Sequence, residues 1–377
     1  MNRRQFLTTL AAGMMTAGCA TRAALPRDSR TGYVFDPVFL EHDWPDHPEG
    51  AYRLRAVMAE LEASGLRAAM RSVSARPASK AEIRRAHGEW HVDELEVMSK
   101  ERDPGYLDPY ARDNYYNAAT WPAAIRAVGG LTDLCLAVAD GRLDNGYALV
   151  RPPGHHAEAN KAMGFCYFGN AALAAKALKE EAGVARVTIV DFDIHHGNGT
   201  QDLVGRDPDI QFIDLHERNL FPVGSGASHE TGTSAGEGSV INIPLPRMVG
   251  DQGLAALFEQ VVAPAIRRVD PEFVLASAGY DGHWRDPLSH QAITLAGFDR
   301  LSRDLVALAD EVCDGRVVFT LEGGYDAEAL SHGVANTARG LLGRADMSDP
   351  VGAGPEATAD VTGLIEELRD QHGLGTG

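Results

Sequence analysis

Apolar runs of strand length alternate along most of the chain with longer stretches in which apolar positions recur three and four residues apart. The short runs predict buried strands, and the longer stretches predict helices. This alternation is typical of βαβ units, so we predict an α/β fold built on a parallel sheet. The predicted strands are 32–35, 147–150, 186–191, 210–215, 273–277 and 317–321, and the predicted helices are 52–64, 118–139, 170–182, 254–269, 295–313 and 327–342.

Polar segments stand where four of these strands end. RPPGHH begins at residue 151, DFDIHH at 191, AGYD at 278 and EGGY at 322. In open parallel sheets, ligands bind at the carboxyl ends of the strands. We therefore expect these four segments to converge on one site.

The segment DFDIHH predicts a metal site. Asp191, Asp193 and His195 alternate along the chain, so their side chains can project from the same face of a strand end. Clustered carboxylates and an imidazole are costly to bury unless a cation compensates them. Asp193 and His195, with Asp281 as a third ligand, would form a divalent site with one position open for water. The alternative is a solvated loop with capping aspartates.

The other segments offer groups for acid and base chemistry. His155 and His156 follow a Pro-Pro-Gly turn, which holds them in a stiff loop. They could move protons near neutral pH, and the hydroxyl of Tyr325 could donate to a developing oxyanion. Phe165 and Phe221 are candidates for the walls of a narrow apolar slot. The alternatives are a solvated surface loop for the histidines and ordinary packing for the aromatic residues.

Composition narrows the range of partners. The chain has 377 residues, of which 44% are hydrophobic, enough for a large core. It carries 53 acidic and 35 basic residues, and the net charge of −18 argues against a nucleic-acid or anionic membrane partner. This negative charge is more compatible with a cationic or neutral substrate than with an anionic one. The four cysteines lack paired or metal-finger spacing, so no disulfide framework is predicted.

The first residues predict a targeting signal. Arg3 and Arg4 precede a short apolar stretch and then small residues before Cys19, which is typical of a twin-arginine signal with a possible lipobox, although Thr16 stands where that pattern usually has Leu. We expect an exported protein, either periplasmic or anchored to the membrane by a lipid at Cys19. The predicted organisation is a signal at 1–19, a linker at 20–31, a catalytic domain at 32–343, and a C-terminal loop with a short helix at 344–377.

Five motifs occur in the order found in the histone deacetylase superfamily, and the resemblance covers roughly residues 31–343. They are RPPGHHA, GFCYF, DFDIHHGNGTQ, SAGYDGHWRDPLS and LEGGYD. Residues 31–49, TGYVFDPVFLEHDWPDHPE, are also similar to the amino-terminal strand and loop of that family. HHGNGTQ and LEGGY resemble the class II branch, with its bacterial deacetylase-like and acetylpolyamine amidohydrolases. The resemblance implies an arginase-like fold, with an eight-stranded parallel sheet between helices, and zinc-dependent hydrolysis of N-acyl amides with one zinc ion per chain.

The resemblance also implies roles for individual residues. The implied zinc ligands are Asp193, His195 and Asp281. The implied catalytic residues are His156 as the principal general base and acid, His155 as its electrostatic partner, Tyr325 in the oxyanion site, and Asp191 and Asn198, which orient His155 and His156 respectively. The slot for an acyl-lysine-like chain would be formed by Gly164, Phe165, Phe221 and Leu288.

A structural potassium ion is a further implication of the resemblance. The family binds it largely through backbone carbonyls, and Asp214 stands where the family pattern has Ser. The corresponding residues here are Asp191, Asp193, His195, Asp214 and Leu215.

Several alternatives stay open at this stage. A two-metal ureohydrolase on the same fold would share the D-x-D-x-H stretch, but the SAGYDGHW segment supplies only one evident carboxylate. A catalytically silent surface protein that binds acylated amines is a rival of another class. The substrate could be an acetylpolyamine, an acetyl-lysine peptide or another small amide, and the native metal could be zinc or iron. Residues 91–117 are expected to form a loop that narrows the entrance or pairs subunits in an oligomer.

Overall fold

The computed structural model describes residues 30–110 and 112–375. The predicted signal, the possible lipid anchor at Cys19 and nearly all of the predicted linker lie outside the described residues.

An eight-stranded parallel sheet forms the centre of the molecule, as the α/β prediction required. Its spatial order is β2-β1-β5-β10-β9-β6-β7-β8, and a separate antiparallel pair joins β3 to β4. The strands are β1 (Thr31–Val34), β2 (Arg71–Val73), β3 (Gly105–Tyr106), β4 (Tyr115–Tyr116), β5 (Asn145–Ala148), β6 (Val187–Asp191), β7 (Ile210–Glu217), β8 (Val240–Leu245), β9 (Phe273–Ala278) and β10 (Val317–Leu321).

The two edge strands, β2 and β8, are absent from the sequence prediction. β2 is only three residues long and exposes two of them, so it carries no apolar run. β8 is buried, but it follows a Gly-rich segment and contains Pro244, which is more typical of a loop. Pro244 is tolerated because β8 lies at the edge of the sheet, where one side of the backbone has no ladder partner.

Helices flank the sheet in groups: α1 and α10 each pack on α11, while α5 packs on α6. The predicted helix at 254–269 occurs as two α-helical segments joined by a π-helical turn at Phe258–Val262. The helices of the described chain are α1 (Ala51–Ala63), α2 (Leu66–Ala69), α3 (Lys80–Ile83), α4 (Glu89–Glu101), α5 (Thr120–Ala139), α6 (Asn170–Ala182), α7 (Asn198–Val204), α8 (Asp251–Leu257), α9 (Ala263–Val269), α10 (Leu295–Cys313), α11 (Ala327–Leu341) and α12 (Thr362–His372).

The expectation of a loop at 91–117 is wrong for its first part, because α4 runs through residue 101. Val92, Leu95 and Met98 are three residues apart and buried, which is the pattern of one apolar helix face. Charged residues surround them in the sequence and hide this pattern. The remainder of the segment contains the small β3-β4 pair.

The core is continuous from the sheet to the C-terminal helix. Every residue of β6, β9 and β10 is buried, as expected for strands of a parallel sheet covered on both faces. α5 is long and apolar enough to cross a membrane by composition, but 72% of its apolar window is buried inside the protein, so it is a core helix. α12 also contributes buried leucine and isoleucine side chains to the same cluster.

Candidate active site

The loops that follow β5, β10, β9 and β6 emerge side by side, because these four strands are neighbours in the sheet and run in the same direction. The four polar segments of the sequence are these loops. Their convergence therefore follows directly from the strand order.

Asp193, His195 and Asp281 form a compact group in which one ligand atom from each lies within 4.8 Å of the others. Nδ1 of His195 lies 3.2 Å from Oδ1 of Asp193 and 3.0 Å from Oδ2 of Asp281. Both carboxylates are fully buried, and His195 is 9% exposed. Two carboxylates and one imidazole with converging atoms are a donor set that suits a divalent cation and leaves room for water. These donors fit the predicted metal.

Backbone N–H groups fix the orientation of both carboxylates. Gly323 donates to Oδ2 of Asp193 at 2.7 Å, and Ile194 donates to Oδ1 of Asp281 at 3.0 Å. Burial lowers the pKa of His195, but its hydrogen bonds to Asp193 and Asp281 outweigh burial and raise that pKa to about 10. The pocket is thus built to hold positive charge, which a proton or a metal ion can supply.

Glycine at position 323 is required by this close packing. A Cβ atom there would lie 2.2 Å from Oδ2 of Asp281 and 2.4 Å from Oδ2 of Asp193. Any larger residue would push into both carboxylates. The first glycine of the EGGY segment therefore admits the two acidic ligands as well as donating to one of them.

The paired histidines occupy different electrostatic environments. Nδ1 of His155 donates to Asp191 at 3.1 Å, Nδ1 of His156 lies 2.8 Å from Oδ1 of Asn198, and the two ring centroids are 4.0 Å apart. Burial lowers the pKa of His155, but the nearby carboxylates of Asp193 and Asp191 outweigh burial and raise it well above its ordinary value. Burial lowers the pKa of His156 well below its ordinary value, and His155 adds to this effect. One imidazole thus favours the charged form and the other the neutral form.

Glu322 fixes the loop that carries His155 and His156, here called the histidine loop, a role that the sequence analysis did not predict. Its Oε2 accepts hydrogen bonds from the backbone N–H of Gly154 at 2.7 Å and of His155 at 3.2 Å. Its Oε1 lies 3.3 Å from the hydroxyl of Ser277. Glu322 also belongs to a second buried group of ligand-type atoms, with His155 and Cys166. The carboxylate of Glu322 already accepts hydrogen bonds from the backbone of Gly154 and His155. We therefore interpret this second group as one that fixes the histidine loop.

A largely apolar cavity of about 320 Å³ opens onto these groups. All four residues predicted for the substrate slot line it, and Tyr325 lines it together with His156 and His195. The cavity wall also includes Asp113 and Leu220, which the sequence reading did not identify. The lining residues are Asp113, His156, Gly164, Phe165, His195, Leu220, Phe221, Leu288 and Tyr325.

The turn at Gly164 and Phe165 shapes one wall of the cavity. Both residues have positive φ angles, of 54° and 67°. A Cβ atom on Gly164 would lie 2.2 Å from the ring of His156, so glycine permits the turn to approach the imidazole. The ring of Phe165 meets that of Tyr325 edge to face at 5.9 Å, and the ring of Phe221 meets that of His156 at 5.0 Å.

A buried ion-pair network is bonded to the loops that form the site. The carboxylate of Glu49 accepts from Arg151 at 2.6 and 2.8 Å and from Arg53 at 3.0 Å. Arg53 also donates to the backbone oxygens of Gly324 and Glu322, both at 2.6 Å, and its guanidinium carbon lies 4.9 Å from the ring centroid of Tyr325. In the sequence, Glu49 lies in the HPEG segment and Arg151 in the RPPG segment. The spacing of these residues has no distinctive pattern, so the network could not be predicted from it.

The residues predicted to surround potassium lie on two neighbouring strands. Asp191 on β6 is in register with Asp214 on β7, and Leu215 follows Asp214. Oδ2 of Asp214 accepts from the backbone N–H of Gly197 at 2.7 Å, and Oδ1 lies 2.8 Å from Nδ1 of His216. Burial raises the pKa of Asp191 well above its ordinary value, against the opposing effect of His155. The potassium site stays a prediction.

Comparison with known proteins gives consistent matches over nearly the whole chain. The family model "Histone deacetylase domain" matches residues 47–341. Histone deacetylase 10, chloroplastic, from Oryza sativa subsp. japonica is 37% identical over 380 residues, covering 95% of this chain and 85% of the relative. A probable deacetylase from Archaeoglobus fulgidus is 38% identical over 301 residues, covering 79% and 82% of the two chains. The crystal structure of the HDA15 HD domain superposes with a TM-score of 0.82 at 35% identity, covering 92% of this chain and 95% of that one.

Proposed function

The chain belongs to the histone deacetylase family, and from this premise we propose that it is a zinc-dependent deacetylase acting on acetylated amines carried by lysine-like or polyamine chains. The observation that carries the proposal is one cavity that brings together His195 of the ligand group, His156 and Tyr325. Family membership supports hydrolysis of an acetyl amide. The zinc ion and the substrate class are our proposals.

Zinc would be held by the carboxylates of Asp193 and Asp281 and by Nδ1 of His195, whose atoms already converge. When bound, the ion supplies Lewis acidity that polarises water and the amide carbonyl. A third carboxylate bridging two ions, as a two-metal hydrolase needs, is not found beside these ligands among the described residues.

The surrounding side chains can perform the proton transfers of amide hydrolysis. His156, the neutral imidazole, takes a proton from the attacking water and returns it to the departing amine. His155, which is paired with the carboxylate of Asp191 and lies against His156, adds positive potential beside the developing negative charge when it is protonated. Tyr325 donates its hydroxyl hydrogen bond to the oxygen of the tetrahedral intermediate. The products are acetate and a free amine, so atoms and charge balance.

The cavity supports a slender, flexible substrate. Phe165, Phe221 and Leu288 provide apolar walls for a methylene chain, and a cavity of about 320 Å³ favours a slender acyl-amine over a bulky one. Asp113 adds a carboxylate to the lining, and the net charge of −18 favours approach of a cation. Acetylated polyamines and acetyl-lysine side chains share this combination of methylene chain and positive charge.

The direct test is acetate release by the purified protein, prepared metal-free and then reloaded with zinc or iron. The substrate panel contains N-acetylputrescine, N-acetylspermidine, an acetyl-lysine peptide and an aromatic acetanilide as an ill-fitting control. We expect turnover of the linear substrates only after loading, with one transition-metal ion per chain. Two ions per chain, or binding of acetylated amines without turnover, would contradict the proposal.

Export by a twin-arginine route is a separate proposal that rests on residues 1–19 alone. Cell fractionation of the full chain tests it, with Arg3→Lys and Arg4→Lys together as the export-deficient control and Cys19→Ser as the control for lipid attachment. We expect the first variant to stay in the cytoplasm and the second to be released from the membrane fraction. Cytoplasmic retention of the unaltered chain would rule the proposal out.

A further inference from the structure

We propose that Glu158 is a positioning residue for the deacetylase reaction, which locks the amide of Asn198 so that only Nε2 of His156 exchanges protons. This inference rests on the proposed function, since it assigns the proton transfers to His156. Glu158 lies two residues after His156, does not line the substrate cavity, and its carboxylate reaches the imidazole of His156 through the amide of Asn198.

The contacts of Asn198 determine which way its amide points. Its Oδ1 lies 2.8 Å from Nδ1 of His156, while its Nδ2 lies 2.8 Å from Oε1 of Glu158 and 3.5 Å from the sulfur of Met163. A carboxylate and a thioether can only accept hydrogen bonds. The amide nitrogen must therefore face Glu158 and Met163, and the amide oxygen must face His156. A rotated amide would set oxygen against carboxylate.

The orientation of the amide in turn fixes the histidine. Because an amide oxygen can only accept, Nδ1 of His156 must carry hydrogen. This holds for both the neutral and the charged imidazole, so Nδ1 keeps its hydrogen throughout the reaction. Nε2 is left as the nitrogen that gains and loses a proton, and His156 lines the substrate cavity where that proton is needed.

The neighbouring His155 needs no such lock. Its partner is Asp191, and a carboxylate presents oxygen in either orientation. Asn198 has one oxygen and one nitrogen, so its orientation must be imposed by a further group. Glu158, which accepts from the amide nitrogen of Asn198, is that group.

Glu158 is itself held in place by its backbone. The backbone N–H of Glu158 donates to the backbone oxygen of Lys161 at 3.0 Å, and the backbone oxygen of Glu158 lies 3.1 Å from Nδ1 of His87. Glu158 and Asn198 both line a second, more polar cavity of about 600 Å³. Glu237 lines the same cavity but its carboxylate accepts from Thr231 instead. It is a matched control for removal of an acidic group from this surface.

The first experiment compares Glu158→Ala, Glu158→Gln and Glu237→Ala in the zinc-loaded enzyme. We expect Glu158→Ala to lower kcat by about tenfold or more, as for other groups that orient a site residue through a hydrogen bond, with KM and zinc content little changed. Glu158→Gln has nearly the same shape but can present either oxygen or nitrogen to Asn198, so it should lose the lock and lower kcat as Glu158→Ala does. A Gln variant with the activity of the unaltered enzyme, or an equal loss in Glu237→Ala, would overturn the proposal.

The second experiment places Glu158→Ala in an Asn198→Asp background. A carboxylate at position 198 offers oxygen to His156 whichever way it turns, and its second oxygen would face the carboxylate of Glu158, 2.8 Å from the position that Nδ2 of Asn198 occupies. In this background we expect the tenfold loss caused by Glu158→Ala to disappear or to become a gain, because the substitution removes a repulsion instead of a lock, a coupling that only an effect acting through residue 198 produces. An unchanged tenfold loss would show that Glu158 acts by another route.

The third measurement is independent of turnover. In protein carrying ¹⁵N-labelled histidine, the neutral ring of His156, assigned by its loss in His156→Ala, should show hydrogen on Nδ1. Glu158→Ala should give a mixture of the two tautomers. Hydrogen on Nε2 in the unaltered protein, or an unchanged tautomer in the variant, would refute the lock. If no acetylated substrate is hydrolysed, the proposed function fails while this measurement still decides the positioning of His156.

Discussion

At the scale of single residues, the site consists of charged and polar side chains that are buried and individually oriented. Asp193 and Asp281 are each fixed by a backbone N–H, and Tyr325 is supported by the guanidinium of Arg53. Alternation along a strand end predicted that Asp193 and His195 would share a face. No local pattern predicted Glu49 or Glu158, because their roles depend on partners that only the fold brings near.

Tyr325→Phe tests the oxyanion donor. The substitution removes one hydroxyl and leaves the ring contacts with Phe165 and Arg53, so we expect zinc to bind normally and kcat to fall on the order of a hundredfold or more. Steady-state kinetics with metal analysis measures both quantities. Tyr33→Phe, whose hydroxyl contacts Arg67 away from the cavity, is the control. A near-normal kcat for Tyr325→Phe would remove this residue from the mechanism.

Gly323→Ala tests the close packing of the acidic ligands. The added methyl would meet the carboxylate oxygens of Asp281 and Asp193 at 2.2 and 2.4 Å, so both must move. We expect zinc affinity to fall by more than about tenfold, since ligand orientation is lost. Competition with a chromogenic chelator measures the affinity. Gly363→Ala in α12, with no atom within 4 Å of the new methyl, should leave zinc binding unchanged; equal affinity in both variants would contradict the geometry.

At the scale of elements, the order of the strands in the sheet explains why the four loops of the site lie side by side. Periodicity predicted the strands that carry the four loops, and their parallel arrangement brings the loop starts together. Periodicity missed α4, whose apolar face is obscured by charged neighbours, and the edge strand β8, whose proline suggested a loop. The loop conformations themselves are set by long-range contacts such as Glu322 with Gly154, which no local window of sequence contains.

Thr294→Ala tests how α10 is anchored to α8. The hydroxyl of Thr294 accepts from the N–H groups of Ala296 and Gly297 and donates to Asp251 at the start of α8. Removal of this cap should lower the free energy of unfolding by about 1 kcal/mol. Urea unfolding measures the change. Thr294→Ser keeps the hydroxyl and should lose less than half as much; an equal loss in the two variants would assign the effect to packing of the methyl group.

At the scale of the whole molecule, a buried network of two ion pairs connects the N-terminal third of the chain to the loops that form the site. Glu49 stands between Arg53 and Arg151, all with fully buried side chains. Burial raises the pKa of Glu49, but Arg151 and then Arg53 outweigh it and lower the pKa to about 2, from an ordinary value of 4.5. Its contribution to stability is therefore complete above pH 4.5 and is lost as the pH falls towards 2.

Glu49→Gln tests this contribution. We expect the variant to be less stable at pH 7 by about 3 kcal/mol or more, because two buried cations lose their partner. The difference in stability between the variant and the unaltered protein should narrow as the pH falls from 4.5 towards 2, where the native carboxylate also gains a proton. Urea unfolding at pH 7, 5 and 3 measures the trend. A difference that stays constant with pH would show that Glu49 acts through packing rather than charge.

Metal binding should change the stability of the entire domain. Zinc that binds only the folded chain adds about 4 kcal/mol at a free concentration a thousand times its Kd. We expect Tm to rise on zinc addition and to fall again with EDTA. Differential scanning calorimetry measures the shift, with Asp281→Asn, which lacks one ligand carboxylate, as the control. An equal response of this variant would place the stabilising ion elsewhere.

The hydrogen bonds from Arg53 to the backbone of Gly324 and Glu322 join residues separated by 271 and 269 positions. While the chain is being synthesised, the helix bearing Arg53 leaves the ribosome long before the segment with Tyr325 exists. The proposed metal ligands are also incomplete until Asp281 has been added. A nascent or truncated chain that ends before residue 281 therefore lacks both the full ligand set and the tyrosine, and one that ends before residue 325 lacks the tyrosine, so we expect hydrolytic activity only when most of the chain has been made.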